Sequence, residues 1–278
     1  MTVAPETDTT MAEAPLKASK EVKDATAVSE DSTDATAATE KHTFGPSVHI
    51  SKHPVLLHKI SILRSANTPS GQFRSVLREI TYHLGYEATA GLTTRPIPVS
   101  VSAGKESPND HLDCTGDKLI ERVAVVPILR SGLGMSDSML ELLPKASVYH
   151  IGMYRIPGSA PVQYFNRLPR KCASDAAIVL DPVIASAQTS LAAIAMLKKW
   201  GVPKIHLVSV LGSSEGLATI EEQHPDVQIT VGTVDSILTK DGIVLPGLGD
   251  AGDRLFGCVD PDDHDESLLH PSKRSRTA

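Results

Sequence analysis

The sequence predicts an α/β protein with a mainly parallel sheet flanked by helices. Short apolar runs rich in β-branched residues are nearly unbroken, as is typical of strands that are covered on both faces. Segments with helical spacing of apolar residues separate several of these runs, and this alternation favours parallel strands joined by right-handed crossovers. Because ligands bind such sheets beyond the carboxyl ends of the strands, we expect the functional residues just after the strands.

The first elements are two predicted helices, over residues 54–64 and 69–84. In the second helix, Thr68 is expected to cap the amino end, with Pro69 in the first helical position and Gly85 as the stop signal. Apolar residues at helical spacing predict its buried face: Phe73, Val76, Leu77, Ile80 and Leu84. Later strands are predicted over 122–129, 146–153, 176–180, 205–211 and 227–231, and later helices over 135–143, 189–200 and 215–223.

The two ends of the chain differ in composition from its middle. The 278 residues are 41% apolar overall, but residues 1–46 are dominated by small polar and charged residues. Residues 259–278 combine an acidic run with a basic cluster, Lys273-Arg274-Ser275-Arg276. Such segments bury too little apolar surface to offset the entropy of ordering, so we predict disordered tails at 1–46 and 259–278 and one domain over 47–258. The basic cluster fits a solvated tail better than a nuclear import signal.

Bulk properties argue against several functional classes. The net charge of −6 and an aromatic content of 4% disfavour nucleic-acid binding. No apolar run approaches the roughly 18 residues that a membrane helix needs. The cysteines, Cys114, Cys172 and Cys258, are far apart and form no C-x-x-C pair, which predicts a reducing compartment without disulfides or a zinc site. A cytoplasmic protein without a membrane or nucleic-acid partner is therefore expected.

A carboxylate and several hydroxyl groups follow the predicted strand at 176–180. Asp181 stands at the strand end, and Ser186, Thr189 and Ser190 lie in the turn that opens the next helix. The unpaired N–H groups and the dipole of a helix amino end favour a bound phosphate, while Asp181 is placed to accept hydrogen bonds from sugar hydroxyls. Simple capping of the helix by one of these hydroxyls, with Asp181 closing a turn, fits this segment equally well.

Arginines and a glycine-rich loop occupy comparable positions after other strands. Arg130 follows the strand at 122–129 and Arg155 follows the strand near 153, and guanidinium groups match the geometry of phosphate oxygens. The loop at 244–254 holds three glycines and two aspartates, so it can offer backbone groups to a flat polar ligand, with Asp250 beside it. Alone, either arginine fits a surface ion pair and the loop fits an ordinary turn. Their combination favours a ligand site.

Together these segments resemble the uracil phosphoribosyltransferase family over residues 48–257. The resemblance is carried by segments in matching order and spacing: Lys52-His53-Pro54, Phe73-Arg74, Tyr86-Glu87-Ala88-Thr89, 126–135, 152–155, 180–189 and 246–257. It implies a type I phosphoribosyltransferase-like fold and a glycosyltransferase of pyrimidine salvage, which joins uracil to 5-phosphoribosyl 1-diphosphate (PRPP) to form UMP and pyrophosphate. A generic α/β nucleotide-binding domain is disfavoured, because the chain lacks G-x-G-x-x-G and P-loop motifs after a strand.

The resemblance also implies roles for individual residues. Arg130 and Arg155 would bind the pyrophosphate and Asp181 would hold the ribose hydroxyls, which makes these three the implied catalytic residues. The implied PRPP-binding residues are Arg130, Arg155, Asp181, Pro182, Val183, Ile184, Ala185, Ser186, Ala187, Gln188, Thr189 and Asp250, and the implied uracil-binding residues are Val244, Gly249, Asp250 and Ala251. Mg²⁺ is expected on the pyrophosphate, without a metal site built from protein residues. Members of the family are commonly oligomers and some respond to GTP, so a homo-oligomer is expected and GTP is a candidate effector.

The phosphate turn departs from the family's usual Ala-Thr-Gly-Gly-Ser, because it reads Ala185-Ser186-Ala187-Gln188-Thr189. The hydroxyls are kept but both glycines are lost, and a left-handed conformation at Ala187 or Gln188 would cost about 1–2 kcal/mol. Two hypotheses therefore stand: an active uracil phosphoribosyltransferase, and a catalytically weak or inactive relative that binds a nucleotide or PRPP as a regulator or partner subunit. Helical φ at both positions would favour the first hypothesis, and a forced positive φ would favour the second.

Overall fold

The computed structural model describes residues 42–102, 111–154 and 160–258. The strands are β1 (Val48–Ile50), β2 (Thr94–Ser102), β3 (His111–Leu119), β4 (Val123–Leu129), β5 (Ser147–Val148), β6 (Ile151–Tyr154), β7 (Val162–Asn166), β8 (Ala176–Leu180), β9 (Val183–Ile184), β10 (Lys204–Ser213), β11 (Gln228–Asp235), β12 (Ile237–Leu238) and β13 (Val244–Leu245). The helices are α1 (Pro54–Arg64), α2 (Ser70–Thr89), α3 (Leu133–Leu142), α4 (Gln188–Trp200), α5 (Ser214–Gln223) and α6 (Ala251–Phe256). The predicted tails lie outside the described residues, apart from residues 42–46.

A nine-stranded sheet organises the domain, in the order β1-β11-β10-β8-β4-β6-β7, with β5 beside β4 and β9 beside β10. Every pairing in this sheet is parallel except that of β6 with β7, which is antiparallel. The prediction of a mainly parallel sheet flanked by helices is therefore confirmed. Two small antiparallel pairs stand apart from it, β2 with β3 and β12 with β13.

The core lies on both faces of the sheet, because successive side chains of a buried strand point to opposite sides. In β4, Val123 and Val125 pack with α1, α2 and α3, whereas Ala124 and Val126 pack with α4 and α5. All five residues of β8 are buried. Burial on both faces explains why these strands read as unbroken apolar runs rather than as alternating patterns.

The second predicted helix differs from the observed one at both ends. Helix α2 begins at Ser70, and the Oγ1 of Thr68 donates to the carbonyl of Ile62 at 2.6 Å, so Thr68 does not cap α2. The helix also runs through Gly85 to Thr89, so the predicted stop is wrong. A Cβ at Gly85 would lie 2.8 Å from the Sδ of Met139, which shows that this glycine permits close packing of α2 on α3.

Several elements differ from the predicted ones because local pattern does not encode them. The predicted strand at 146–153 is two short strands, β5 and β6, which both pair with β4. The β2–β3 hairpin is missing from the prediction, since Pro96, Pro98 and polar residues interrupt any apolar run. The predicted loop at 244–254 contains the whole of β13 and the first turn of α6.

Across the three described ranges, we find no helix that combines the length and the apolar character needed to cross a membrane.

Candidate active site

An open cavity of about 670 Å³ lies beyond the carboxyl ends of β4 and β8. Its walls bring together Arg130, Asp181 and Asp250, which come from the three segments that the sequence singled out. The lining residues are Ile128, Leu129, Arg130, Ser131, Met153, Tyr154, Tyr164, Asp181, Val183, Ala185, Thr189, Asp241, Gly242, Ile243, Val244, Leu248, Gly249, Asp250, Ala251 and Gly252. This is the position at which parallel sheets of this type bind ligands.

The other predicted site residues lie beside the cavity or outside the described part of the chain. Arg155 falls in the undescribed segment 155–159. Pro182, Ile184 and Ala187 are buried and do not line the cavity, while Ser186 is half-buried and Gln188 is exposed. The members of the predicted PRPP set that line the cavity are Arg130, Asp181, Val183, Ala185, Thr189 and Asp250.

Arg130 follows β4 at the start of a tight turn into α3, and the peptide bond before it is cis. Its Nη2 lies 2.7 Å from the Oδ1 of Asp253 in α6. The hydrogen bond that the Arg130 guanidinium donates to Asp253 raises the pKa of Arg130 above its usual value. About half of the side chain remains exposed, so Arg130 presents a permanently charged fork to the cavity while Asp253 fixes its direction.

Asp181 directly follows β8 and is 7% exposed, and it lines the cavity. Its backbone N–H donates to the carbonyl of Val208 in β10, which continues the sheet pairing by one residue. The Oγ of Ser131 donates to Asp181 Oδ1 at 3.4 Å, so the turn after β4 and the turn after β8 are in contact. Ser131 is a residue that the sequence interpretation missed.

The phosphate turn ends at the amino end of α4. The residue at the cap position is Ala187, whose side chain has no hydrogen-bond acceptor, and Gln188 is the first helical residue. Capping by the side chain at this position is therefore excluded. The N–H groups of the first turn of α4 remain suited to an anion, and Thr189 adds a side chain at the cavity wall.

The end of β10 and the start of α5 support the phosphate turn. The Oγ of Ser213, at the end of β10, donates to the carbonyl of Ala185 at 2.6 Å and accepts from the N–H of Gly216 at 2.9 Å. A Cβ at Gly216 would lie 2.0 Å from the Ala185 carbonyl oxygen. The turn is thus held by a hydrogen bond and by close backbone packing.

The backbone conformation differs between the two positions at which the family's glycines are missing. Gln188 is helical, but Ala187 has φ 61° and ψ −7°, which is the left-handed region. The folded chain accepts this unfavourable conformation at Ala187 and keeps the sharp entry into α4. The backbone conformation therefore differs between the two positions and does not favour the second hypothesis.

Ala187→Gly is expected to cost less stability than an ordinary Ala→Gly substitution, because glycine adopts positive φ without a Cβ penalty. Relief of about 1–2 kcal/mol offsets about 0.4–1 kcal/mol for the more flexible unfolded chain and about 0.8 kcal/mol for the buried methyl group of Ala187, so we expect a net change near zero. Ala192→Gly in the interior of α4 is the matched control and should lose about 1 kcal/mol. Thermal unfolding of both variants measures this, and equal destabilisation would contradict the strain at Ala187.

Residues 246–251 of the loop predicted at 244–254, called the base loop below, run from β13 into the start of α6. They include left-handed glycines at Gly247 (φ 60°) and Gly249 (φ 71°). Asp250 is the N-cap of α6, and its Oδ1 accepts from the N–H of Asp253 at 2.9 Å. Val244 and Ala251 are nearly buried, at 5% and 6% exposure. The loop therefore lines the cavity largely with backbone and small side chains.

Tyr154 and Tyr164 also line the cavity, and their ring centroids are 6.1 Å apart. The sequence interpretation missed Tyr164 because it placed no strand at β7, and it gave no role to Tyr154 at the end of β6. Within 42–102, 111–154 and 160–258, no group of three or more His, Cys, Asp or Glu side chains is arranged to hold a metal ion.

Comparisons with known proteins match most of the residues that the structure describes. Residues 50–258 match the sequence family described as uracil phosphoribosyltransferase. A curated uracil phosphoribosyltransferase from Roseiflexus sp. (strain RS-1) is 41% identical over 211 residues, covering 76% of this chain and 98% of that protein. One from Agathobacter rectalis is 42% identical with the same coverage. The solved structure of the AQ2163 protein from Aquifex aeolicus is similar with a TM-score of 0.69 and 31% identity, over 76% of this chain and 98% of that one.

Proposed function

The chain belongs to the uracil phosphoribosyltransferase family, and we propose that it is a pentosyltransferase that joins uracil to PRPP, forming UMP and pyrophosphate. The observation that carries this proposal is the meeting of Arg130, Asp181 and Asp250 around one cavity at the carboxyl edge of the sheet. The fold is the type I phosphoribosyltransferase-like one that the sequence predicts.

PRPP fits the cavity with its 5-phosphate at the amino end of α4. Asp181 then lies near the ribose, where a carboxylate accepts hydrogen bonds from two neighbouring hydroxyls. Arg130, on the adjacent strand of the sheet, lies toward the pyrophosphate, with Asp250 beside it. The family resemblance assigns Arg155 to the same proposed set of pyrophosphate-binding residues.

The reaction replaces one bond at the anomeric carbon of the ribose. The bond from this carbon to the pyrophosphate oxygen breaks, the oxygen keeps the electron pair, and N1 of uracil forms the new bond and loses its proton. Positive charge develops on the sugar and negative charge on the leaving group. The fixed guanidinium of Arg130 stabilises the developing negative charge, and such preoriented charges are usually the largest catalytic contribution.

Uracil is recognised by the loop between β13 and α6. Gly249, Asp250 and Ala251 line the cavity, and their backbone groups would pair with the carbonyls and ring N–H of a planar pyrimidine. Cytosine presents a different donor and acceptor pattern, so it would leave buried polar groups unpaired.

Magnesium fits the oxygen donors of this cavity. Mg²⁺ prefers carboxylate and phosphate oxygens and commonly binds through one or two carboxylates together with substrate phosphates. Asp181 and Asp250 supply carboxylates at the cavity wall, and PRPP supplies the phosphates. The bound ion would neutralise charge on the pyrophosphate as it leaves.

The proposal also covers the pathway, the compartment, the assembly and the effector of the enzyme. Formation of UMP from free uracil is a pyrimidine salvage reaction, and we place it in the cytoplasm. The common assembly and occasional GTP response of the family make a homo-oligomer and a GTP effector part of the proposal. Size-exclusion chromatography with light scattering, and assays with and without GTP, test these points.

The primary test is UMP formation by the purified protein from uracil, PRPP and Mg²⁺, beside the double variant Ala187→Gly/Gln188→Gly. Activity of the unmodified protein would support the enzyme and show that the turn tolerates both side chains. If only the double variant forms UMP, the unmodified protein is a binding or regulatory relative. If neither forms UMP, the proposed site is wrong.

A further inference from the structure

The base loop has polar backbone groups on two sides. Its cavity side includes Leu248, Gly249, Asp250 and Ala251, whereas Gly247 does not line the cavity. The N–H and C=O of Gly247 and the C=O of Leu248 are bound by charged side chains from other elements. The backbone of the loop is thus bound by charged side chains that do not line the cavity.

The first support is an ion pair between Arg64, at the end of α1, and Asp235, at the end of β11. Both guanidinium nitrogens bond the carboxylate, with Nη1 to Oδ2 at 2.7 Å and Nη2 to Oδ1 at 2.6 Å. Arg64 Nη1 also donates to the carbonyl of Gly247 at 2.9 Å, and the N–H of Gly247 donates to Asp235 Oδ2 at 2.9 Å. One ion pair therefore binds both polar backbone groups of a single residue.

The second support is Arg254 of α6. Its Nη1 donates to the carbonyl of Leu248 at 2.7 Å and also bonds the carbonyl of Leu63, and its Nη2 donates to the carbonyl of Ser65 at 2.6 Å. The guanidinium also lies 4.5 Å from the centre of the Phe73 ring. Since the last carbonyls of a helix lack partners within it, Arg254 joins the end of α1 to the base loop.

The loop depends on such supports because regular pairing does not hold it. Gly247 has φ 60°, and a Cβ there would lie 2.1 Å from the carbonyl oxygen of Val244. β13 is only two residues long, so the ladder ends before the loop begins. Recognition of uracil by backbone groups requires their positions to be kept within fractions of an ångström, and a misplacement of about 1 Å can cost a hundredfold in rate.

We propose that Arg64, Asp235 and Arg254 are positioning residues that set the backbone of the loop for uracil, without contacting the base. This inference rests on the proposed function, because it concerns the base of that reaction. Asp235 is 6% exposed, so its charge is compensated only within this network among the described residues. The supports hold the base side of the cavity, and the turns after β4 and β8 do not use them.

The test compares Arg64→Ala and Asp235→Asn with Arg122→Ala. Arg122 is the control because it also forms a two-point ion pair, with Asp175 at 3.0 and 2.8 Å, just before the amino ends of β4 and β8, where both side chains are more exposed. For Arg64→Ala, we expect the KM for uracil to rise about tenfold or more while the KM for PRPP stays within about twofold. Arg122→Ala should leave both KM values unchanged, and Asp235→Asn, which keeps an acceptor for Gly247, should have an intermediate effect.

Rescue by conservative variants separates positioning from general stability. Arg64→Lys keeps the charge and one hydrogen bond, so it should recover part of the uracil KM, as Arg254→Lys should relative to Arg254→Ala. Equal effects on both substrates, or equal effects of Arg64→Ala and Arg122→Ala, would overturn the proposal.

Hydrogen exchange of the peptide over 244–252 gives a readout that does not need activity. Arg64→Ala should speed exchange of this peptide, including the Gly247 amide, and leave α4 unchanged. If the unmodified protein forms no UMP, the proposed function fails, and the exchange result still decides whether the ion pair orders the loop. Unchanged exchange in Arg64→Ala would overturn the inference on its own.

Discussion

Arg130→Ala is expected to lower kcat/KM for PRPP by about 10²–10³-fold, the loss typical when one preoriented charge-stabilising group is removed. The guanidinium lines the cavity and is directed by Asp253 at 2.7 Å, so little reorganisation is needed when charge develops on the pyrophosphate. Steady-state kinetics with PRPP varied at saturating uracil measures the effect.

Arg130→Lys is the matched variant, because lysine keeps the positive charge but loses the planar fork. We expect its activity to lie between those of Arg130→Ala and the unmodified protein. Full activity of Arg130→Ala would remove this residue from the proposed pyrophosphate site, and a uracil-only effect would assign it to the base side.

Gly132→Ala is expected to damage both the fold and the site. A Cβ at this position would lie 2.2 Å from the carbonyl oxygen of Leu180 and 2.7 Å from the backbone of Ile128. Backbone must therefore move, and Leu180 directly precedes Asp181. Overpacking of this kind costs about 1–3 kcal/mol or more. Displacement of the Asp181 carboxylate, which is proposed to bind the ribose, should lower the rate roughly a hundredfold. Thermal unfolding and UMP formation measure the two effects.

Gly91→Ala is the control for this substitution. Gly91 follows α2, and no atom lies within 4 Å of the Cβ that alanine would add there. Its stability should stay within about 0.5 kcal/mol of the unmodified protein, with unchanged activity. If Gly132→Ala behaves like Gly91→Ala, the close approach of the two turns is not required.

Sequence pattern was sufficient for elements whose burial leaves a local signature. Helix α1 and strand β8 match their predicted bounds, since the helix has a proline start and the strand is an apolar run buried on both faces. The β2–β3 hairpin left no such signature, because its residues are largely exposed and interrupted by prolines. The same holds for β7, where four of the five residues are exposed.

The site was predictable only in part for a related physical reason. Residues that follow the strands can be recognised by their position in the sequence, so Arg130, Asp181 and Asp250 were predicted as site residues. Their partners are tertiary: Arg64 and Asp235 are 171 positions apart, and no spacing rule connects them. The left-handed conformation of Ala187 likewise depends on how the turn is packed and not on the residue itself.

The six-residue helix α6 has a consequence for how this chain can change in length. Asp253 and Arg254 are neighbours that serve different partners, one holding Arg130 and the other the end of α1. An α-helix turns by about 100° per residue, so deleting or inserting one residue before them would turn both side chains away from their partners. Surface segments usually accommodate such changes over evolutionary time, but this one is expected to keep its residue count while other surface loops drift.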